Sequence, residues 1–142
     1  MEYIKRKYIS NIVFTFLSFT WGLPLTLVGA IVALALPKCK RRKHGYCLQI
    51  EVGEKWGGLN LGYFCFVCKN APIRTRNHEF GHAIQNCYYG IFTPFIVTIP
   101  SAIRYWYRVI RLIIKKPVTT PYDAIWFEHQ ATVWGNEIMK SI

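Results

Sequence analysis

Two histidines and one glutamate are the residues of this sequence whose types and spacing best suit chemistry. His78, Glu79 and His82 form an HExxH pattern inside residues 72–89, a segment that predicts a helix. Side chains four residues apart lie on one helix face, so both imidazoles can bind one metal ion. Zn²⁺ suits neutral imidazole, and Glu79 can take a proton from water at the metal and deliver it to a leaving amine. The spacing predicts metal-assisted hydrolysis.

The HExxH pattern is uncommon at this composition. At the His and Glu frequencies of this chain, it arises by chance in roughly 0.5% of sequences. The alternative interpretation is a pair of polar residues on a solvated helix face. The neighbouring residues oppose it, because they are mostly apolar and predict a helix packed into a core: Phe80, Ala83, Ile84 and Cys87.

A catalytic zinc site needs a third protein ligand and an open coordination position. Glu128 is the first candidate, because it lies in an aromatic-rich helical segment where a lone carboxylate is costly unless it is paired or metal-bound. His129 is the second candidate, but it lies about 100° further round the helix, so the two are not expected to bind together. Asp123, Glu137 or the absence of a third ligand are the remaining alternatives.

An HExxH helix followed several tens of residues later by a helix with an E-x-x-A pattern resembles the gluzincin type of zinc metallopeptidase. The resemblance covers residues 72–136 and rests on His78, Glu79, His82, Glu128 and Ala131. It implies that His78, His82 and Glu128 bind zinc and that Glu79 is the general base. The chain is also similar to small membrane-anchored bacterial or phage-encoded proteins with an HEFGH helix, a preceding glycine-rich hairpin and a WFE-type helix.

The resemblance also implies a substrate site. In gluzincins the strand before the active-site helix binds the substrate backbone as an added strand, and the matching residues here are Gly58, Leu59, Asn60, Leu61 and Gly62. A plain hairpin is the alternative. The chain has no room for the second substrate-binding subdomain of larger gluzincins. Four residues are candidates for stabilising an oxyanion: Tyr105, Tyr107, Tyr122 and His129.

The elements around the motif predict an α+β fold. Residues 44–52 and 56–69 are rich in strand-forming residues separated by glycines, which predicts a small antiparallel sheet. The active-site helix at 72–89 is followed by Gly90, a good residue just past a helix end. Two further helices are expected, one at 100–116 and one starting at Thr120, with Thr120 as N-cap and Asp123 at the third helical position.

Residues 8–36 contain no charged side chain and are long enough, as a helix, to cross a bilayer. Pro24 interrupts the run, so the segment is either one kinked span or a re-entrant helical hairpin. We therefore divide the chain into a membrane anchor with basic flanks at 1–43 and a minimal zincin-like metallopeptidase domain at 44–142. Basic residues at 38–43 outnumber Lys5, Arg6 and Lys7, which predicts an integral membrane protein with a cytoplasmic catalytic domain. The resemblance to small bacterial proteins implies that the membrane is a bacterial inner or cell membrane.

Composition narrows the function classes further. The 142 residues include 18 Lys and Arg against 7 Asp and Glu, a net charge of +11, with a mean hydropathy of +0.17. These values exclude a disordered chain and disfavour a purely soluble one. Four basic residues form one stripe of the 100–116 segment, opposite apolar and aromatic residues: Arg104, Arg108, Arg111 and Lys115. This amphipathic pattern favours anionic membrane lipid over nucleic acid as the partner, and a solvated basic face is the alternative.

The five cysteines are an odd set without a disulfide framework, which indicates reduced thiols in a cytosol-facing domain. Cys65 and Cys68 form a CxxC pattern within a predicted strand. Residues three apart on a strand point to opposite faces, which disfavours a zinc or redox pair.

The sequence therefore predicts a membrane-anchored endopeptidase that uses Zn²⁺ to hydrolyse a peptide or protein substrate. The alternative belongs to a different class: a non-catalytic membrane scaffold or interaction protein, in which His78, His82 and Glu128 hold a structural metal or none. Retention of zinc with loss of activity in Glu79→Gln would separate the two. The sequence carries no signal for an oligomeric state.

Overall fold

The structure is a computed structural model that describes residues 9–121 and 124–142. Within these residues the chain forms five α-helices and a four-stranded sheet, so the predicted α+β class is confirmed. The helices are α1 (Asn11–Ser18), α2 (Leu23–Ala35), α3 (Ile73–Tyr89), α4 (Ile99–Ile113) and α5 (Trp126–Ser141). The strands are β1 (Arg41–His44), β2 (Cys47–Glu51), β3 (Gly58–Leu61) and β4 (Phe64–Val67), and a 3₁₀ turn (Gly90–Phe92) and a π-helix (Pro94–Thr98) join α3 to α4.

The sheet is mixed, so the prediction of an antiparallel sheet is wrong. β1 pairs antiparallel with β2, and β3 pairs antiparallel with β4, but β2 and β4 run parallel in the order β1-β2-β4-β3. Residues 52–57 connect β2 to β3, which is not its neighbour in the sheet, and β4 then fills the position between them. Strand propensity identifies the segments of β2, β3 and β4 but misses β1, whose first three residues were assigned to the basic flank. It does not give the pairing either, because pairing depends on packing across the sheet. As a result, β3 lies at the sheet edge.

The apolar N-terminal segment forms two helices that meet at a bend of 88°. No single helix among the described residues is long and apolar enough to cross a bilayer, whereas α1 and α2 taken together meet both requirements. The predicted N-terminal membrane helix is therefore not confirmed as one element. Pro24 lies in the first turn of α2, where its missing N–H needs no partner. The predicted flanking residues Lys5, Arg6 and Lys7 lie outside the described residues.

The N-terminal helices share a core with the rest of the chain. Phe14 of α1 is fully buried, and its ring centroid lies 6.1 Å from that of Phe80 on α3. The same core contains Cys47 and Cys65 from the sheet and Ile138 from α5. The domain division at residue 43 stays a prediction, but burial of Phe14 means that α1 contributes to the stability of α3.

α3 matches its predicted limits within one residue. It begins after Pro72 and ends at Gly90, which adopts φ 55°, a left-handed conformation that favours glycine. The buried guanidinium of Arg76 fixes the first turns of α3 to β2, because it donates to Gln49 Oε1 at 3.2 Å and to Glu51 Oε1 at 3.1 Å. These contacts set the position of the helix that carries the HExxH residues.

The last helix begins at Trp126, so the predicted start at Thr120 is wrong. Thr120 and Pro121 lie in a connector that follows α4. Their carbonyl oxygens accept hydrogen bonds from two guanidinium groups of α4, Arg108 to Thr120 at 2.5 Å and Arg104 to Pro121 at 2.7 Å. The Pro121 carbonyl also accepts a hydrogen bond from the Ala124 N–H at 3.2 Å, and the α-helix begins only at Trp126.

α5 packs directly along α3 at two glycines. A Cβ atom on Gly135 would lie 1.9 Å from the carbonyl oxygen of Asn77, and one on Gly81 would lie 1.8 Å from that of Ala131. Only residues without a side chain allow two backbones to approach so closely. The contact brings the first turn of α5, which carries Glu128, over the histidines of α3.

Candidate metal centre

Two histidines of α3 and one glutamate of α5 converge on one point. His78 Nε2 and His82 Nε2 are 3.1 Å apart, and Glu128 Oε2 lies 2.9 Å from the first and 3.2 Å from the second. Glu128 is fully buried and His82 nearly so. The structure therefore brings together the three residues that the sequence predicted as metal ligands.

The outer nitrogen of each imidazole is held by a neighbouring side chain. His78 Nδ1 lies 2.8 Å from Thr132 Oγ1, whose hydroxyl donates to the backbone carbonyl of Glu128, so the hydroxyl oxygen accepts from His78. His82 Nδ1 lies 2.7 Å from Gln85 Oε1, while the Gln85 amide nitrogen donates to the α5 backbone. These partners assign the N–H of each neutral ring to Nδ1, so Nε2 is an acceptor in the neutral ring and donates to Glu128 Oε2 only when the ring is protonated.

Three acceptor atoms that face one another need a positive charge between them. Two atoms that are each about 2.0–2.1 Å from a tetrahedral zinc ion are about 3.3 Å apart. The separations of 2.9–3.2 Å in the cluster are close to that value. The cluster can therefore hold a metal ion, and a set of two imidazoles and one carboxylate fits zinc.

The electrostatics of the cluster favour an ionised carboxylate beside a cation. Burial acts to raise the pKa of Glu128, but hydrogen bonds with His78, His82 and Ser101 outweigh it and hold that pKa well below its usual range. Burial opposes the protonated form of His82, yet the bond to Glu128 and the charge of Glu79 keep its pKa above the usual value. The hydrogen-bond donors around Glu128 therefore offset the cost of removing its charged carboxylate from water.

The alternative third ligands do not join the cluster. His129 is exposed, and Glu137 pairs with Lys140 at 3.2 Å on the surface of α5. Asp123 lies outside the described residues. Among the candidates that the structure describes, Glu128 is the one beside both histidines.

Glu79 lies next to the cluster without belonging to it. Its side chain is buried, and its Oε2 atom has no hydrogen-bond partner among the described residues. Burial raises the pKa of Glu79, and the two neighbouring histidines oppose part of that shift. A Cβ on Gly58 would lie 2.6 Å from Glu79 Oε1, so β3 passes directly over the carboxyl group. Glu79 therefore has one oxygen without a hydrogen-bond partner, on a residue beside both histidines, and such an oxygen is able to accept a proton.

A cavity of about 370 Å³ opens between β3 and α4. His78, Glu79 and His82 line it on the α3 side. Its other walls are largely apolar and aromatic: Trp56, Leu59, Val97, Ala102, Tyr105 and Trp106. The cluster is therefore open towards a space that can take an apolar group.

The predicted substrate-binding residues form the edge strand β3 and its turn. Gly58, Leu59 and Asn60 line the cavity, Leu61 is buried in the core, and Gly62 turns the chain into β4 with φ 68°. The Asn60 amide points inward and donates to the Gly62 carbonyl at 2.9 Å, so it stabilises the turn. Among the described residues β3 pairs with β4 alone, which leaves its outer edge open.

Tyr105 is the candidate for oxyanion stabilisation that lines the cavity. Tyr107 is 59% exposed and His129 is exposed, and neither contributes to the cavity wall. Tyr122 lies outside the described residues.

Three residues that the sequence analysis missed surround the ligands: Thr132, Gln85 and Ser101. Thr132 follows Glu128 by four positions and Gln85 follows His82 by three, so helical spacing was an available signal for both. Ser101 is 27 residues from Glu128 and lies on another helix, so no local pattern indicates it.

Comparison of this chain with known protein families, with curated proteins and with solved structures finds no match. The geometry of the site is therefore the basis on which a function is assigned.

Proposed function

We propose that this protein is a membrane-anchored zinc-dependent endopeptidase. One observation carries the proposal: the converging atoms of His78, His82 and Glu128 lie beside the unpartnered Oε2 of Glu79, at the side of one cavity. This arrangement offers three ligands, an open side and a proton acceptor, which together suit metal-assisted hydrolysis.

Each residue of the centre has a distinct task. The three ligands would hold the ion through the atoms that already converge, and Thr132 and Gln85 would keep the imidazoles oriented by binding Nδ1. Zinc, when bound, supplies Lewis acidity that polarises a peptide carbonyl and lowers the pKa of water. Glu79 Oε2 accepts the proton of the attacking water and then returns it to the leaving amine. Glu79 is buried except where it lines the cavity, so a water in the cavity is the one that can reach its carboxyl group.

The proposed substrate is an extended peptide that adds to the open edge of β3. Gly58 allows β3 to pass over Glu79, so a peptide on this edge would lie beside the general base. Backbone groups of an edge strand give affinity with little demand on sequence. The walls formed by Val97 and Trp106 favour a bulky apolar side chain near the cleaved bond, and Tyr105 is the candidate donor to the oxyanion.

Exposed apolar side chains support a membrane location. On α1 and α2, Ile12 is 82% exposed and Leu34 is 77% exposed. On α4, Ile113 is 72% exposed and Ile103 is 66% exposed. Lipid acyl chains would cover these groups, which are costly in water. In the proposed arrangement, the catalytic part lies at the cytoplasmic face of a bacterial inner or cell membrane, beside anionic lipid.

The basic stripe of α4 also has contacts within the protein. Arg104, Arg108 and Arg111 each donate to a backbone carbonyl of the connector at residues 117–121. A guanidinium group has five N–H donors, so a bond to one carbonyl is compatible with a contact to lipid phosphate. Flotation of the full chain with vesicles tests this role. We expect the chain to bind anionic vesicles more tightly than neutral ones, and we expect high salt to remove this difference. Equal binding to both kinds of vesicle would mean that the chain binds by apolar insertion alone.

Metal analysis of the purified full chain tests the proposed activity. We expect about one zinc per chain in the wild type and almost none in His78→Ala, His82→Ala or Glu128→Ala, because three ligands are the minimum for a catalytic site. Stoichiometric zinc in His82→Ala would contradict the site.

Substitution of the proposed general base separates catalysis from metal binding. Glu79→Gln should keep zinc and lose at least ~10²-fold in turnover of a fluorogenic peptide that the wild type cleaves. If zinc is present and the wild type cleaves no peptide, a non-catalytic membrane scaffold with a structural metal becomes the better description.

A further inference from the structure

We infer that Ser101 of α4 is a positioning residue for the metal-binding carboxylate of Glu128, and that metal binding and docking of α4 therefore depend on each other. This inference rests on the proposed metal site. It adds a third helix to a centre that the sequence predicted from α3 and α5 alone.

The two oxygens of Glu128 face different partners. Oε2 points to the two histidines, and Oε1 accepts a hydrogen bond from the Ser101 hydroxyl. The carboxylate is fully buried, so removal of this donor takes a partner from an oxygen that water cannot reach. A carboxylate held at both ends cannot rotate, and the Ser101 bond therefore keeps Oε2 directed at the histidines.

α4 is otherwise loosely attached. None of its residues is buried, and its inner face lines the cavity through Ala102, Tyr105 and Trp106. The cavity therefore separates much of this face from β3 and α3. Ser101 is the described residue of α4 whose side chain bonds to a proposed ligand, so its hydroxyl contributes to the docking of this helix.

A second link joins α4 to the helix that carries Glu128. Bonds from Arg104, Arg108 and Arg111 hold the connector at residues 117–121 against α4. That connector leads to the start of α5 at Trp126. A displacement of α4 would therefore act on Glu128 both through Ser101 and through the connector. Because coupling between two equilibria is reciprocal, a metal that fixes Glu128 should also favour the docked position of α4.

Zinc affinity of the full chain in detergent, measured by competition with a chromophoric chelator, tests the role of the hydroxyl. Loss of an outer partner of a metal ligand weakens binding by about 10–100-fold, and we expect this for Ser101→Ala. Ser101→Thr keeps a hydroxyl and should bind zinc nearly as the wild type does. Ser141→Ala is the matched control, since its hydroxyl bonds to the Ile138 carbonyl at the far end of α5. Thermal unfolding of the metal-free proteins should be the same in the wild type, Ser101→Thr and Ser141→Ala, and lower in Ser101→Ala, which leaves a buried carboxylate oxygen without its donor.

Hydrogen exchange tests the coupling without any activity assay. Zinc should slow amide exchange in residues 99–113 of the wild type and should do so much less in Ser101→Ala. Exchange in this helix that does not respond to zinc in the wild type would overturn the coupling.

The outcomes separate this inference from the proposed function. The inference would be overturned, and the metal site left intact, if the wild type binds zinc, His78→Ala does not, and Ser101→Ala binds zinc with the affinity of the wild type. Equal weakening in Ser101→Ala and Ser101→Thr would overturn the role of the hydroxyl. A wild-type chain that binds no zinc would overturn the metal site and the inference together.

Discussion

Gly81 on α3 and Ala131 on α5 lie in backbone contact, so that a Cβ on Gly81 would stand 1.8 Å from the Ala131 carbonyl oxygen. Gly81 is adjacent to His82, and Ala131 lies about one helical turn after Glu128. One of the two close approaches of these helices therefore lies beside the candidate metal centre. The small residues in HEFGH and in the E-x-x-A pattern set the distance between the histidines and the third ligand.

Gly81→Ala should abolish stoichiometric zinc binding and lower the free energy of unfolding by about 1–3 kcal/mol, because the added methyl group must push α3 and α5 apart. On an exposed helix the same substitution would stabilise the protein by up to about 1 kcal/mol. The sign of the change in the free energy of unfolding therefore shows whether the added methyl group meets α5. Metal analysis and urea unfolding measure both effects. Gly57→Ala is the control, since a Cβ there meets nothing within 4 Å. Normal zinc content together with raised stability would contradict the prediction.

Gly58→Ala should impair turnover while leaving zinc bound. The new Cβ would lie 2.6 Å from Glu79 Oε1 and 2.7 Å from Glu79 Cγ, so the carboxyl group must move. A shift of about 1 Å in a catalytic group can cost 10²-fold in rate, and we expect a loss of that order in kcat. Steady-state kinetics and zinc content, compared with those of Gly57→Ala, check it. Full activity in Gly58→Ala would show that Glu79 is not the general base in the described position.

Arg76→Met should destabilise the fold by about 3 kcal/mol, the lower end of the range for a broken buried ion pair. The loss is limited because Glu51 keeps its bond to Arg42 at 2.8 Å. Chemical unfolding followed by circular dichroism measures it. Lys140→Ala, which removes an exposed pair with Glu137, is the comparison and should change stability by less than about 1 kcal/mol. Equal effects of the two substitutions would mean that Arg76 does not anchor α3.

Native thiol reactivity should be dominated by Cys39. This residue is half-buried, whereas Cys47 and Cys65 are fully buried. Burial raises the pKa of the Cys65 thiol well above its usual value and that of Cys87 to about 11, so the reactive thiolate is scarce at neutral pH. We expect one fast thiol per folded chain in a titration with an aromatic disulfide, lost in Cys39→Ser. Rapid reaction of several thiols in the folded chain would contradict this.

The same cysteine tests the predicted topology. A membrane-impermeant maleimide applied to intact cells should leave Cys39 unmodified until the membrane is opened, because residues 38–142 are expected in the cytoplasm. Cys47 is uninformative in this experiment, since it is fully buried in the folded chain. Prompt labelling of Cys39 in intact cells would reverse the topology and move the substrate to the other side.

The parts of the site that lie within one helix could be predicted from the sequence. His78 and His82 share a face because the helical repeat is a local property of the backbone. The ends of α3 were also predictable, because Pro72 and Gly90 carry their conformational preferences wherever they occur. The segments of β2, β3 and β4 were found for the same reason, but β1 was not, because its basic residues read as an anchor flank. The strand order was not found either, since β2 and β4 pair in parallel across a connection that skips one position.

Sequence alone therefore determined the α+β class, the HExxH helix, the place of Glu79 directly after His78 and a short set of residues that could join the two histidines. Tertiary structure decided that Glu128 is the residue beside the histidines, that β3 is an edge strand over Glu79, and that Ser101 reaches the centre from α4. The physical reason is distance along the chain. Local preferences act over a few residues, whereas these contacts join residues tens of positions apart and exist only because backbone packing at Gly81 and Gly135 brings α3 and α5 together.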